Sequence, residues 1–185
     1  MTVSIDLPQQ AGTHRTDKSA AASAAAPKNQ FLAIDHIAIA VRDLESAVEF
    51  FSQVMGFELK CCRTIHGKTT GMLSAEMEHN GIKFVLCQGT EPQSQVLRLI
   101  EQFGPGVAHI ALRVSDLDKV SQDLTAKGMG FDTRIIGSGG LRQLFSSRSD
   151  NTGMSFEFIE RNGEDGFREE NVNDLFSQLE QSGAY

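Results

Sequence analysis

From Phe31 onward, apolar residues recur first at alternate positions and then at helical spacing, and this alternation of periods runs through the chain. Leu32 to Val41 is rich in apolar and β-branched residues around His36 and predicts a strand. Leu44, Ala47, Val48, Phe51 and Met55 then follow at the spacing of one helix face, with Asp43 placed as N-cap and Gly56 as the stop. Three strands are predicted next, over Glu58–Thr64, Gly71–Glu78 and Ile82–Cys87, the last two joined by the turn dipeptide Asn80-Gly81. Ser94 to Phe103 reads as a short amphipathic helix ending at Gly104-Pro105-Gly106. A second strand–helix unit then begins, with a strand over Ala108–Val114 and a helix from Ser115 or Asp116 to Lys127, closed by Gly128. Strands around Phe131–Ile136, Leu141–Ser146 and Met154–Glu160 complete it, and Asn171 to Gln181 reads as a terminal helix with Val172, Leu175, Phe176 and Leu179 on its apolar side.

The two units share more than their element order. Ile34-Asp35-His36-Ile37-Ala38 and Val107-Ala108-His109-Ile110-Ala111 place a histidine at the same point of the first strand, and residue 109 lies 73 positions after residue 36. The same offset carries Asp43 onto Asp116 and Leu44 onto Leu117, while Gly56-Phe57 matches Gly130-Phe131 one residue out of step. Repetition at a fixed offset indicates repeated structural units. The expected organisation is therefore two βαβββ modules, about 32–90 and 106–162, followed by a C-terminal helix at about 170–181.

Composition narrows the reading. A chain of 185 residues suits one domain made of two half-size modules. Residues 1–30 are Ala/Ser-rich and lack the apolar segment of a secretory signal, so a disordered extension is expected there, with the folded domain over 31–185. A net charge of −7 argues against nucleic acid as a partner. No run approaches the roughly 20 apolar residues of a membrane span. Three cysteines, Cys61, Cys62 and Cys87, form no zinc-type spacing and suggest reduced thiols in a cytoplasmic protein.

His36 and His109 are the candidate metal ligands, because equivalent strands of two modules meet at a common axis. Glu157 is the third candidate, a lone carboxylate in the otherwise apolar Ser155-Phe156-Glu157-Phe158-Ile159, where an unpaired buried charge is costly and a cation would offset it. Taken alone, Glu157 fits a solvated strand face equally well. Its counterpart in module one is Val85, so a fourth protein ligand is missing. Two imidazoles and one carboxylate with free positions is the facial triad of non-haem Fe(II) oxygenases, although zinc sites also use this set. His14, His66 and His79 lie in polar stretches and are expected at the surface.

This layout resembles the vicinal oxygen chelate superfamily, and within it most resembles the C-terminal, catalytic half of 4-hydroxyphenylpyruvate dioxygenase and its relative hydroxymandelate synthase. The resemblance spans about Ile34 to Leu179. It is carried by the two histidine strands, by Leu141-Arg142-Gln143-Leu144-Phe145, and above all by Phe156-Glu157-Phe158-Ile159-Glu160-Arg161-Asn162-Gly163-Glu164-Asp165-Gly166-Phe167 running on into Asn171–Phe176. It implies an α+β fold in which the tandem modules form a curved mixed sheet around the metal site, with the C-terminal helix as a lid. It implies Fe(II) at His36, His109 and Glu157, with Zn, Ni, Co or Mn as other divalent occupants, and a 2-oxoacid and O2 as reactants in oxidative decarboxylation with hydroxylation. Gln143 and Phe145 would be catalytic residues facing the substrate; Ser74, Cys87, Gln95, Phe167, Asn171 and Val172 would bind it. A homodimer is expected by analogy with small members of the superfamily.

The chain departs from the family at Val172, where a second stacking Phe is usual, at Cys87-Gln88 in place of Asn-Glu, at Ala108 in place of Gln, and at Arg168 in the Gly-Phe turn. These departures weaken the case for 4-hydroxyphenylpyruvate and favour another 2-oxoacid, either aliphatic or with an anionic group near Arg168. Two other functions stay open: a metal-dependent glyoxalase- or epimerase-like isomerase or lyase, and a small-molecule-binding resistance-type protein. Val85 counts against the first, since such enzymes use four protein ligands, and the retained triad counts against the second.

Overall fold

The structure is a computed structural model that describes residues 30–182 apart from 138, 139, 165 and 168, so the expected N-terminal extension and Arg168 lie outside the described residues. Its strands are β1 (Phe31–Ala40), β2 (Glu58–His66), β3 (Gly71–His79), β4 (Ile82–Gly89), β5 (Gly106–Val114), β6 (Leu141–Phe145) and β7 (Phe156–Arg161). They form one curled mixed sheet in the order β2-β3-β4-β1-β5-β7-β6. Helices α1 (Leu44–Glu49), α2 (Gln95–Phe103), α3 (Leu117–Ala126) and α4 (Glu169–Ser182) pack around it. Among the described residues no helix is long and apolar enough to cross a membrane.

The modules meet through the antiparallel pair β1–β5, in which Ile37 lies opposite Ile110. These two residues are repeat equivalents, so a pseudo-twofold axis passes between them. That axis exchanges His36, which faces Ala111, with His109, which faces Ala38. Each central strand then pairs in parallel with the last strand of its own module, β1 with β4 and β5 with β7.

Strand alternation sorts the side chains onto two faces. On one face Phe57, Ala75, Met77 and Leu86 pack under α1, and Val114, Leu144 and Phe158 pack under α3. The other face carries His36, Ala38, Ser74, Val85, Cys87, His109, Gln143, Phe145 and Glu157, which line one pocket. The helix starts follow their caps: the Asp43, Ser94 and Asp116 side chains accept the N–H of Ser46, Leu97 and Lys119 at 2.7, 3.3 and 2.9 Å. Asn80 and Gly81 turn the β3–β4 hairpin with φ of 49° and 80°.

Two elements differ from expectation. The first helix does not stay α-helical to Gly56; Phe50–Val54 winds as a π-helix, and Phe51 meets the Phe57 and Phe84 rings at 5.6 and 5.2 Å. The strand expected over Phe131–Ile136 is reduced to isolated bridges, Phe131 with Ser146 and Ile136 with Gln143. Between them one backbone bond persists, from the Asp132 N–H to the Phe145 carbonyl at 3.0 Å, and side chains take others, since Thr133 Oγ1 accepts the Phe145 N–H and the Arg134 N–H donates to Gln178 Oε1. The sheet therefore has seven regular strands, one short of two complete modules.

Candidate metal centre

Register brings the three candidate ligands together. His36 lies opposite Ala111 across β1–β5, and Ala111 opposite Glu157 across β5–β7, so His36 and Glu157 flank Ala111 in one row, with His109 two residues before Ala111 on β5. Ala38 and Ala111 are fully buried and small, which leaves the space above them to the imidazoles. One donor atom each from His36, His109 and Glu157 lies within 4.8 Å of the others. Glu157 Oε2 sits 3.2 Å from His36 Nε2 and 3.3 Å from His109 Nε2.

The supporting contacts are as specific. A β-bulge between Ile34 and His36 turns two successive side chains inward, so Asp35 Oδ1 lies 3.1 Å from His36 Nδ1. Asp35 in turn accepts two hydrogen bonds from Arg161, at 2.8 and 3.0 Å, and two from Arg113, at 3.1 and 3.3 Å. A carboxylate behind a ligating histidine fixes the ring's tautomer and direction. Gln143 Nε2 donates to Glu157 Oε1 at 2.7 Å, and Gln143 Oε1 is buried without a partner among the described residues. The Phe145 ring meets His109 edge-on at 5.1 Å, and Phe167 meets His36 edge-on at 5.2 Å.

The electrostatics call for a cation. Burial opposes charge on Glu157, yet the two imidazoles hold its carboxyl well below the usual carboxylate range. Burial also opposes charge on His36, but Glu157 and Asp35 overcome it and raise the imidazole to about 9. Burial lowers His109 against the pull of Glu157, and Asp35 is held low by His36 and Arg161 despite its own burial. Three donors converge on a point where positive charge is favoured, and the His36 proton supplies only one unit of it. His36, His109 and Glu157 thus fit a divalent ion; the donor set by itself does not choose among Fe(II), Zn, Ni, Co and Mn. Val85, opposite Ala38, is the register equivalent of Glu157 and offers no ligand atom.

The pocket around this centre is partly open to solvent and is also lined by Ser74, Cys87, Gln143, Phe145, Phe167 and Val172, all expected from the sequence. Gln95 lies in an adjoining apolar pocket. Asn171 lines neither; its amide donates to the Leu141 carbonyl at 3.0 Å and ties α4 to β6. His66 and His79 are exposed, as expected. Sequence reasoning gave no role to Asp35, Arg113 and Arg161. Adjacency to His36 was the available signal for Asp35, whereas Arg161 meets it across 126 positions of chain. Met72 and Leu175 were also missed as pocket residues, though each sits at strand or helix spacing from a recognised one, Ser74 and Val172.

Comparison with known proteins gives curated relatives and solved structures of similar fold. The 4-hydroxyphenylpyruvate dioxygenase of Pseudomonas aeruginosa is 26% identical over 184 residues, covering 80% of this chain and 52% of that protein. Hemolysin VllY of Vibrio vulnificus is also 26% identical, over 185 residues, with 80% and 52% covered. A triple mutant of 4-hydroxymandelate synthase from Streptomyces coelicolor superposes with a TM-score of 0.75 at 21% identity, over 87% of this chain and 57% of that one, a likeness of fold. Methylmalonyl-CoA epimerase from Mycobacterium tuberculosis superposes with a TM-score of 0.62 at 26% identity, over 72% of this chain and 90% of that one. The chain spans about half the length of the curated relatives it matches. Residues 33–158 match the Glyoxalase/Bleomycin resistance protein/Dioxygenase superfamily, and the chain belongs to it.

Proposed function

We propose that this chain is an Fe(II)-dependent dioxygenase that acts on a 2-oxoacid, coupling its oxidative decarboxylation to hydroxylation. One observation carries the reading: the site offers three protein ligands on one side, and Val85 stands where a fourth would be. Bound Fe(II) would supply adjacent open positions for the 2-oxoacid and for O2, together with the redox capacity of the reaction. The name of the Pseudomonas aeruginosa relative supports this chemistry. The reaction named for the epimerases is the second reading, and the missing ligand at Val85 disfavours it.

The side chains have separable roles. His36, His109 and Glu157 hold the ion, and Asp35, clamped by Arg161 and Arg113, holds the His36 ring. Gln143 steadies Glu157 and presents its free Oε1 to a donor, such as a hydroxyl on the substrate. Phe145 and Phe167 brace the imidazoles and keep bulk water from them.

Anaerobic reconstitution with Fe(II), followed by O2 uptake and CO2 release across a panel of 2-oxoacids, tests the proposal. Equimolar O2 consumption and CO2 release with at least one acid is expected, with loss of both in Glu157→Gln. Absence of turnover with every acid, together with isomerase or lyase activity in the Zn(II)- or Co(II)-loaded chain, overturns it.

A further inference from the structure

Beside the metal pocket lies a second one of about 550 Å³, roofed by α2 and α4 through Val96, Leu99, Leu175, Phe176 and Leu179. The two cavities share His109, Phe145, Val172 and Leu175, so the second adjoins the metal centre. Both are largely apolar, and they differ in charge. The metal pocket carries Arg63, Ser74, Glu76 and Gln143, whereas no Asp, Glu, Lys or Arg among the described residues lines its neighbour.

Two uncharged polar side chains, Gln95 and Cys87, do line this annex. Gln95 is buried and its amide nitrogen is directed at the Phe176 carbonyl, 3.5 Å away. Burial pushes the Cys87 thiol up to about 12, so it stays neutral and behaves as an apolar group. Phe145 is held edge-on against His109, and Phe176 is committed to a cluster with Ile65 and Val172. A ligand there meets mainly aliphatic and methionine side chains, with the Phe145 and Phe176 rings held by contacts of their own.

We infer that this annex receives the uncharged aliphatic side chain of the substrate, with the acid end at the metal and the chain passing His109 towards α2 and α4. The inference rests on the proposed 2-oxoacid chemistry and narrows it to aliphatic rather than phenolic or dicarboxylic acids. A carboxylate at the far end would be buried without a partner. A phenolic hydroxyl would have only Gln95 to meet. Each methylene moved from water into such a site raises affinity about fourfold.

The test is calorimetric binding to the full chain loaded with Zn(II), which holds a ligand without turnover. The probes are pyruvate, 2-oxooctanoate, 2-oxoglutarate, 4-hydroxyphenylpyruvate, and 2-octanone, an aliphatic chain with no acid group. Binding of 2-oxooctanoate on the order of 1000-fold tighter than pyruvate is expected from its five additional methylenes, with 2-octanone competing for the same site. Val96→Asp, at a half-buried position on α2 that lines the annex and not the metal pocket, should abolish that preference while leaving pyruvate binding in place. Tightest binding by 4-hydroxyphenylpyruvate or 2-oxoglutarate, or equal binding of pyruvate and 2-oxooctanoate, overturns the inference. If 2-octanone binds and no 2-oxoacid does, the aliphatic subsite stands and the 2-oxoacid reading falls. If pyruvate binds and neither long chain improves on it, the reading stands and the subsite falls.

Discussion

Glu157 is 1% exposed and still ionised, because two imidazoles face one of its oxygens and Gln143 donates to the other. The same compensation extends outward through His36 to Asp35 and its two arginines, so a change at Asp35 should be felt at the metal. Asp35→Asn keeps the shape but weakens the hold on the His36 ring and leaves Arg161 and Arg113 short of a charge partner. Zn(II) affinity measured by chelator competition should fall about 10–100-fold, the usual effect of removing such a support; an unchanged affinity would deny Asp35 the positioning role. His36 also sets a pH dependence for the metal-free chain. Its folded value of about 9 lies above the ordinary 6.5, so its contribution is complete below about 6.5 and disappears as pH rises through 9. Asp35 and Glu157 act in the opposite direction, contributing above their ordinary carboxylate range and losing that contribution in acid. Thermal melting of metal-free protein should therefore decline from pH 6.5 to 9. Saturating Zn(II) replaces the His36 proton and should remove the decline; a flat metal-free profile would contradict this account.

At the scale of elements, α2 depends on a close approach that only glycine permits. A Cβ at Gly89 would collide with the Ser94 side chain, the cap of α2, and come within 3.0 Å of Leu97 Cγ. Gly89→Ala should cost about 1–3 kcal/mol through overpacking, read as a lowered denaturation midpoint, and should shift α2 where it roofs the apolar annex. Retained stability would mean that α2 is less firmly seated on β4 than its contacts indicate. These elements differ in how well the sequence announced them. The histidine strands, the capped helices and the Asn80-Gly81 hairpin were legible because each rests on local chemistry, namely a period, a capping oxygen or a backbone conformation open to few residues. The π-helical turn at Phe50–Val54 was hidden, since its apolar spacing is compatible with an α-helix and packing on Phe57 and Phe84 decides the winding. The segment over Phe131–Ile136 has strand-like residues but loses part of its ladder to Thr133 and to Gln178 from a distant helix, which no local pattern encodes. At the centre, the three candidate ligands followed from the repeat and from a charge in an apolar strand. The Asp35 clamp did not, because a bulge aims the side chain and its arginines arrive from two other strands.

Across the whole molecule, the pseudo-twofold axis between Ile37 and Ile110 makes the asymmetry of the centre informative. Symmetry supplies His36 and His109 as a matched pair, and it places Val85 and Glu157 at matched positions beside Ala38 and Ala111. Only one of that second pair carries a ligand, so the fold holds room for a fourth donor that this chain does not use. The argument predicts the outcome of restoring it. In Val85→Glu the new carboxylate should reach the ion from the side opposite Glu157, across the axis. Two carboxylates without a cation would repel one another, so the metal-free variant should melt lower than the parent, and Zn(II) should raise its melting point by a larger increment. Zn(II) affinity should rise about tenfold or more, as one added charged ligand closes the shell. Binding of 2-oxoacids to the loaded variant should weaken sharply, because the position they require is filled. Improved metal binding with unchanged 2-oxoacid binding would show that the substrate does not use the side of the ion facing Val85, and the link drawn between the missing ligand and the chemistry would have to be abandoned.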